Sequence, residues 1–598
     1  MPGLSSADHR TSPPLIDIPV RYNAAYDLLQ RNLAAGRGPR TAYVDDLGRY
    51  TYAELAERVN RCSGALRTLG IQPGERVLLS LTDTIDFPTA FLGCIQAGIV
   101  PVAVNTGLRQ ADYEFLLRDS GACGAIVSTA VAPRFTASRP LHLIVSDAGP
   151  SPAGATDSST TGLGGSEASG PGDPTHGGAA SAAPERLSFA ALLRSAPTQF
   201  EAADTARDDA CFWLYSSGST GKPKGTIHAH SSLIQTAELY ARPILGLGEQ
   251  DVVFSAPKLF FAYGLGNALS FPLAVGATAI LMAERPTPDA VYSRLRQHRP
   301  TVFSGVPTLY AAMLAGKLPA PAELNLRLCV SAGEALPKDI GERWHRHFGV
   351  DILDGIGSTE MLHIFLSNRP GAVCYGTTGA AVPGYRLRLL DEAGQPVPAG
   401  QIGELQISGP SCALGYWNSP EQSRETFHGP WARSGDKFHV DANGRYVYAG
   451  RSDDMLKVSG MYVSPAEVES ALISHPAVLE AAVIGAEDVD GLIKPLACVV
   501  TRAASADAAA LVATRSMAAG AGPVAAGSAA AGDTAPPTGR AAAATQLAEE
   551  LKQHVKSVLA PHKYPRWIEF LPELPRTATG KIQRFRLREQ FARRPLTR

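Results

Sequence analysis

The sequence predicts an α/β protein with parallel sheet at its core, and three observations carry that prediction. Strand-like and helix-like runs alternate between residues 41 and 130. The strand-like runs are almost continuously apolar, as strands covered on both faces are. The chain is 598 residues long, too long for one hydrophobic core, so two to four domains are expected.

Each element has its own signal. Residues 51–70, TYAELAERVNRCSGALRTLG, read as a helix. Thr51 and Glu54 make a capping-box pair, Leu55, Val59, Cys62, Leu66 and Leu69 share one face, and Gly70 supplies the stop. ERVLLSL, VPVAV and GAIVS, beginning at Glu75, Val100 and Gly124, read as buried strands. From about 150 to 185 the chain turns to Gly, Ser, Ala and Pro without apolar periodicity, which predicts a disordered surface insertion. The α/β pattern resumes at ACFWLYSSGSTG and runs to about 370. Beyond it, YRLRLLDEAGQPVPAGQIGELQISG and GRYVYAG predict antiparallel strands with Gly/Pro turns, a small β subdomain. A second low-complexity run, 503–543, predicts a linker-like loop. It separates the strand LACVV from a helix, TQLAEELKQHVKSVL, whose apolar face is Leu547, Leu551, Val555 and Leu559.

Bulk properties exclude several functions. The formal net charge is -1, so no global field recruits nucleic acid or a membrane surface. Eight cysteines are scattered with no CxxC spacing, which points to a reducing cytoplasm and no zinc site. The N-terminus has no apolar core of a secretory signal, and the longest apolar stretch, FLGCIQAGIVPVAV, is too short to span a bilayer.

The chemistry begins at residues 215–225, YSSGSTGKPKG. Gly218 and Gly221 let backbone N–H groups turn toward an anion, Ser216, Ser217, Ser219 and Thr220 add hydroxyl donors, and Lys224 adds charge. This is not a Walker A loop: only two residues separate Gly218 from the Gly221-Lys222 pair, and Pro223 follows directly.

The string resembles the phosphate-loop signature of the adenylate-forming superfamily, which includes acyl- and aryl-CoA ligases, peptide-synthetase adenylation domains and firefly luciferase. Four later strings resemble that family's signatures in its order: SAGEALP (331–337), DGIGSTE (354–360), SGDKFHVDANGRYVYAGRSDDMLKVSGMYVSPAEVE (434–469) and LPRTATGKIQR (574–584). The resemblance implies a large N-terminal domain, 1–452, of two parallel α/β subdomains plus a small β subdomain. A smaller mobile α+β domain, 453–598, would follow.

It also implies roles. Lys581 would bridge the carboxylate and the α-phosphate of ATP. Glu360 would coordinate Mg2+, with Thr220, Thr359 and Lys224 at the phosphates. Asp436 would accept both ribose hydroxyls, assisted by Arg451, a task that suits a pure acceptor. Gly333, Glu334, Asp354, Gly355 and Ile356 would wall the adenine. Asp453 would be the hinge, and Lys457, Ser459 and Gly460 would line the path of the CoA pantetheine arm. Outside these signatures each would read as an ordinary turn, core or surface residue.

KLFFAYGLGN (258–267) and GSTEMLHIFLSN (357–368) resemble the benzoate-CoA ligase branch in particular. That implies an aryl pocket of Phe261, Ala262, Tyr263, Gly264, Ala332, Gly357, His363 and Ile364. Flat aromatic and small apolar walls suit an unsubstituted ring, so discrimination among ring acids is steric. The resemblance therefore implies ATP, Mg2+ and CoA as cofactor and co-substrates, a small aromatic acid as substrate, and a monomer or homodimer. Three alternatives stay open: a ligase for a hydroxy- or aminobenzoate, a stand-alone adenylation enzyme that loads a carrier protein, and an inactive homologue acting as a binding protein.

Overall fold

The computed structural model describes residues 2–135, 142–148, 186–217, 223–452, 454–458, 461–488, 492–502, 538–560, 563–576 and 582–591. The first predicted insertion, 150–185, lies outside the described residues.

Two predominantly parallel sheets form the large N-terminal domain. One has eight strands in the order Gly415–Tyr416, Pro223–Ala229, Ala210–Ser217, Val100–Ala103, Arg76–Ser80, Gly124–Ser128, His142–Ser146, Arg186–Ser188. Its first three strands pair antiparallel, and from Ala210–Ser217 onward the pairings are parallel. The other has nine, Ala380–Ala381, Ile364–Ser367, Ile352–Gly357, Leu328–Ser331, Val302–Gly305, Val252–Ser255, Thr278–Ile280, Thr41–Val44, Arg49–Thr51, and is parallel from Ile352–Gly357 to Thr41–Val44. The three predicted buried strands all lie in the eight-stranded sheet, as continuous apolar runs require.

Between the sheets the predicted helix forms as Tyr52–Thr68. The Thr51 hydroxyl accepts from the Glu54 N–H at 3.2 Å and the Glu54 carboxylate accepts from the Thr51 N–H at 2.7 Å. Leu55, Val59, Cys62 and Leu66 are buried, and Leu69 packs at the edge of the same core. Cys62 presses on the neighbouring helix Asp86–Gln96 at Gly93, where a Cβ would stand 2.6 Å from its Sγ. The long apolar stretch at 91–104 divides into the end of that helix and the strand Val100–Ala103. Among the described residues no helix is long and apolar enough to cross a membrane.

The predicted β subdomain is an antiparallel sheet of Arg386–Leu390, Gly403–Ser408, Trp431–Val440, Phe427–His428 and Tyr446–Arg451. After it comes the smaller C-terminal domain. Strands Val478–Glu487, Ile493–Thr501 and Trp567–Phe570 form a sheet with helices on both faces. Side-chain alternation explains this. Ala481 and Val483 face a core with Val468, Leu472, Leu551 and Val555, while Ala482 and Ile484 face one with Leu587 and Phe591. The helix predicted to follow the second low-complexity run begins earlier than expected, at Thr538, so the last six residues of the 503–543 run are helical. The four alanines 541–544 favour helix, and Pro536-Pro537 marks its start. Residues 503–537 lie outside the described residues.

Candidate active site

The phosphate-loop string is a hairpin. Ala210–Ser217 turns back into Pro223–Ala229, with Ser216 opposite Lys224 and Ser217 opposite Pro223. A strand rather than a helix follows the loop, which separates it from a Walker A loop on structural grounds. Gly218, Ser219, Thr220 and Gly221 lie outside the described residues.

Two side chains that the sequence reading missed tie this hairpin to the GSTE segment. His228 donates from Nε2 to the Thr359 carbonyl at 2.8 Å, and burial pushes its pKa down to about 4, which keeps the ring neutral. Tyr416 donates its hydroxyl to Glu360 Oε1 at 2.7 Å, and its ring lies 4.6 Å from Lys224 Nζ. Lys224, Tyr416 and Glu360 thus form one contiguous chain. The backbone closes around it, with the Ala413 N–H on the Glu360 carbonyl, the Leu414 N–H on the Ile227 carbonyl and the Trp417 N–H on the Gly225 carbonyl, each at 2.8 Å. A lone tyrosine in a Gly-Tyr-Trp loop carries no spacing signal, so no sequence pattern marks it. Among the described residues no group of three or more His, Cys, Asp or Glu side chains is arranged to hold a metal ion.

The SAGE and DGIG strings sit at the carboxyl ends of the nine-stranded sheet, where parallel α/β sheets bind ligands. Gly305 lies opposite Ser331, and Ser331 opposite Asp354. Ala332 is buried, and Gly333 follows at φ +93°, a left-handed conformation that bends the chain away from the sheet. Glu334 is half-buried. Ser331 Oγ and Asp354 Oδ1 are buried without a hydrogen-bond partner among the described residues. Burial holds the Asp354 carboxyl well above the ordinary carboxylate range. Gly355, Ile356 and Gly357 continue the strand, facing Ser367, Leu366 and Ile364 respectively.

Of the predicted aryl residues, Tyr263 and Gly357 lie against His363, and Tyr240 and Phe271, which the sequence did not single out, complete its surroundings. Phe271, Tyr263 and Tyr240 ring centroids stand 4.4, 5.6 and 5.6 Å from its imidazole. Its Nε2 donates to the Tyr263 carbonyl at 3.2 Å, Nδ1 has no partner among the described residues, and burial pushes its pKa down to about 3. The ring therefore behaves as a neutral aromatic wall. Gly264 lets the Phe261–Gly264 turn close: a Cβ there would lie 2.1 Å from the Lys258 carbonyl oxygen. Phe261, Ala262 and Tyr263 remain half-buried, and Ile364 is buried. Tyr263 Oη and both amide atoms of Asn267 are buried and unpartnered among the described residues.

On the β subdomain, Asp436 and Arg451 are cross-strand neighbours, with Arg451 Nη1 3.3 Å from Asp436 Oδ1 and 3.0 Å from the Ser434 carbonyl. Asp436 is buried while its partner is partly exposed. The bridge Gly379–Tyr446 and the pairing of Ser367 with Ala380 connect this sheet to the edge of the nine-stranded one. Lys457 lies on the strand Leu456–Val458 opposite Tyr462. Asp453, Ser459, Gly460 and Lys581 lie outside the described residues.

Comparison with known proteins fits this geometry. The family model described as AMP-binding enzyme matches residues 30–417, and that of the AMP-binding enzyme C-terminal domain matches 467–531 and 509–581. The chain is 58% identical over 596 residues to a benzoate–CoA ligase of Thauera aromatica, covering 98% of this chain and 99% of that protein. The crystal structure of a benzoate CoA ligase from Burkholderia xenovorans LB400 superposes with a TM-score of 0.78 at 52% identity, covering 95% and 100% of the two chains. The anthranilate CoA ligase AuaEII in complex with anthranoyl-AMP gives 0.80 at 39% identity, covering 96% and 98%.

Proposed function

This chain belongs to the AMP-binding enzyme family, and from that premise we propose that it is an ATP-dependent benzoate–CoA ligase, an AMP-forming acid–thiol ligase. The observation that carries the choice of acid is the neutral His363 ring set among Tyr240, Tyr263 and Phe271 beside the Phe261–Gly264 turn. This wall has aromatic faces and no charge, which suits a flat ring.

In the first step a benzoate carboxylate oxygen attacks the α-phosphorus of ATP, the bond to the β-phosphate oxygen breaks, and pyrophosphate leaves. Two anions must approach, so cations and aimed donors lower the barrier. Lys581 bridges the carboxylate and α-phosphate. Lys224, with Ser216, Ser217, Gly218, Ser219, Thr220, Gly221 and Thr359, holds the β- and γ-phosphates. Glu360 would hold Mg2+, which supplies charge neutralisation at the phosphates. A single hard carboxylate fits an ion whose other ligands are phosphate oxygens and water. Asp436 accepts the ribose hydroxyls and Arg451 orients it. The adenine lies along Gly333, Glu334, Asp354, Gly355 and Ile356, where the unpartnered Asp354 and Ser331 atoms offer hydrogen bonds.

In the second step the CoA thiol attacks the acyl carbon of benzoyl-AMP, AMP leaves, and the thiol proton passes to solvent. Rotation about Asp453, between domains 1–452 and 453–598, withdraws Lys581 and brings Lys457, Ser459 and Gly460 to the pantetheine arm. The enzyme acts in the cytoplasm as a monomer or homodimer.

The test is incubation with ATP, Mg2+, benzoate and CoA, which yields AMP, pyrophosphate and benzoyl-CoA. Formation of ADP, or no AMP, overturns the reading. Lys581→Ala separates the steps: adenylation falls by about 10²–10³-fold, the cost of losing one aimed donor, while thioester formation from supplied benzoyl-AMP persists. The Tyr263 hydroxyl and Asn267 amide, polar groups buried behind the aromatic wall, favour a second reading, a ligase for hydroxy- or aminobenzoate. A substrate panel scored by pyrophosphate release ranks the two, and a carrier-protein acceptor is tested against free CoA in the same assay.

A further inference from the structure

The turn that shapes the candidate acid pocket is fastened from outside the pocket. Lys258 opens that turn, after Ala256 and Pro257 at the end of the strand Val252–Ser255 of the nine-stranded sheet. Its ammonium donates to two backbone carbonyls at the exit of the neighbouring strand Thr278–Ile280, those of Met282 and, at 2.8 Å, Glu284. The same ammonium stands 3.9 Å from Asp83 Oδ2. Asp83 belongs to the other sheet, in the connection from Arg76–Ser80 to the helix Asp86–Gln96. Its second oxygen, Oδ1, accepts from the Leu259 N–H at 3.2 Å. Asp83 therefore holds both the first side chain and the second backbone amide of the turn.

The turn has little freedom left. The Phe261 N–H bonds the Lys258 carbonyl at 3.0 Å, the Leu265 N–H bonds the Phe261 carbonyl at 2.7 Å, and the Ser255 hydroxyl bonds the Pro257 carbonyl at 2.9 Å. Gly264 closes over the Lys258 carbonyl with no room for a Cβ. A shift of Lys258 is thus transmitted directly to Phe261, Ala262 and Tyr263.

The pair is desolvated, with side chains 17% and 4% exposed for Lys258 and Asp83. Burial draws the Lys258 ammonium below its ordinary pKa and pushes the Asp83 carboxyl up to about 6, each restrained by the other's charge. Replacing a buried ion pair by apolar residues is often neutral for stability, so stability alone is a weak reason for such a pair. Fixing one geometry is a better one.

We propose that Lys258 and Asp83 are positioning residues for the acid substrate: a buried clamp between the carboxyl ends of the two sheets that sets the Phe261–Gly264 wall. The proposal rests on the reading that this wall lines the acid pocket.

Three variants test it: Lys258→Met, Asp83→Asn and the double variant. Asp83→Asn keeps an oxygen for the Leu259 N–H and removes only the charge. Each is assayed for KM of benzoate, KM of ATP, and the ratio of kcat/KM for benzoate to that for 2-aminobenzoate, with folding followed by circular dichroism. The expected result is a rise in benzoate KM of about tenfold or more in Lys258→Met, a smaller rise in Asp83→Asn, and a changed acid ratio. KM of ATP stays within twofold, and the double variant loses less than the product of the single effects. If Lys258→Met does not fold, Asp83→Asn and the double variant carry the same expectation.

Folded variants with unchanged benzoate KM and acid ratio overturn the proposal, as do variants in which the acid and ATP constants rise together. Wild-type protein that releases no pyrophosphate with either acid instead overturns the functional reading, and is seen before any variant is made.

Discussion

The two large sheets end in similar polar residues at their carboxyl edges, and they differ in how many of them they leave open. In the eight-stranded sheet the serines that end Arg76–Ser80, Gly124–Ser128 and His142–Ser146 are consumed internally. Ser80 Oγ pairs with Tyr113 Oη at 3.0 Å, Ser128 Oγ accepts from the Thr82 N–H at 3.0 Å, and Ser146 donates to Asp86 Oδ2 at 2.7 Å. Asp86 also takes Arg58 at 2.5 Å. Thr84 Oγ1 is the exception, buried without a partner among the described residues. In the nine-stranded sheet Ser331 Oγ and Asp354 Oδ1 are left buried and unpartnered, and so are Tyr263 Oη and the Asn267 amide near them. Buried polar groups are normally satisfied, so an edge that leaves several open is an edge that expects a ligand. The first edge is closed largely by its own side chains, and the second leaves polar groups free for a ligand. The first sheet reaches the candidate site through the hairpin 210–229, the strand Gly415–Tyr416 and Asp83.

The contrast can be broken by mutation. The largest effect is expected at Asp86→Ala, which strands the Arg58 guanidinium and the Ser146 hydroxyl. Urea denaturation should show a loss of about 3 kcal/mol, the low end for a broken buried pair because Arg58 is 28% exposed. The folded enzyme should keep its kcat/KM within twofold, and a large rise in substrate KM would put Asp86 in the site instead. Asp354→Asn should do the reverse. Its stability falls by only about 1 kcal/mol, because the amide keeps one acceptor oxygen for the Leu336 and Gly355 backbone, while the KM of ATP rises about tenfold, the value of one hydrogen bond, where NH2 turns an acceptor into a donor.

A smaller effect concerns the junction between hairpin and site. His228 is held at about 4, below its unfolded 6.5, so the unfolded chain takes up a proton that the folded one refuses. That contribution is present above pH 6.5 and is lost as the pH falls toward 4. The stability of His228→Asn should therefore fall less steeply than that of the wild type across this window, and equal slopes would mean the ring is not shielded.

Much of this was legible in the chain. The capping box at Thr51 and Glu54 set one helix, period-free apolar runs set three parallel strands, and the run LACVV set one strand of the C-terminal sheet, whose two packed faces the structure added. The motifs named Glu360, Asp436 and His363 by order alone. Less legible were Tyr416 and His228, whose partners lie 56 and 131 residues away, and the Asp83–Lys258 clamp across two sheets. No local pattern marks a residue whose role is defined by a distant one. The start of the helix at Thr538 was also missed, because an Ala-rich run carries no apolar period even where it is helical.

The sequence by itself determined the chemistry: which groups are charged, which are hydroxyl, where glycine permits a turn, and in what order the signatures come. These depend on side-chain type and near neighbours, and near neighbours are written consecutively. Only the tertiary structure decided which of two equally polar sheet edges stays open, which tyrosine links Lys224 to Glu360, and which buried carboxylate grips the pocket turn. Those outcomes follow from packing between segments far apart in the chain, where burial removes water and leaves each polar group to find a protein partner or none.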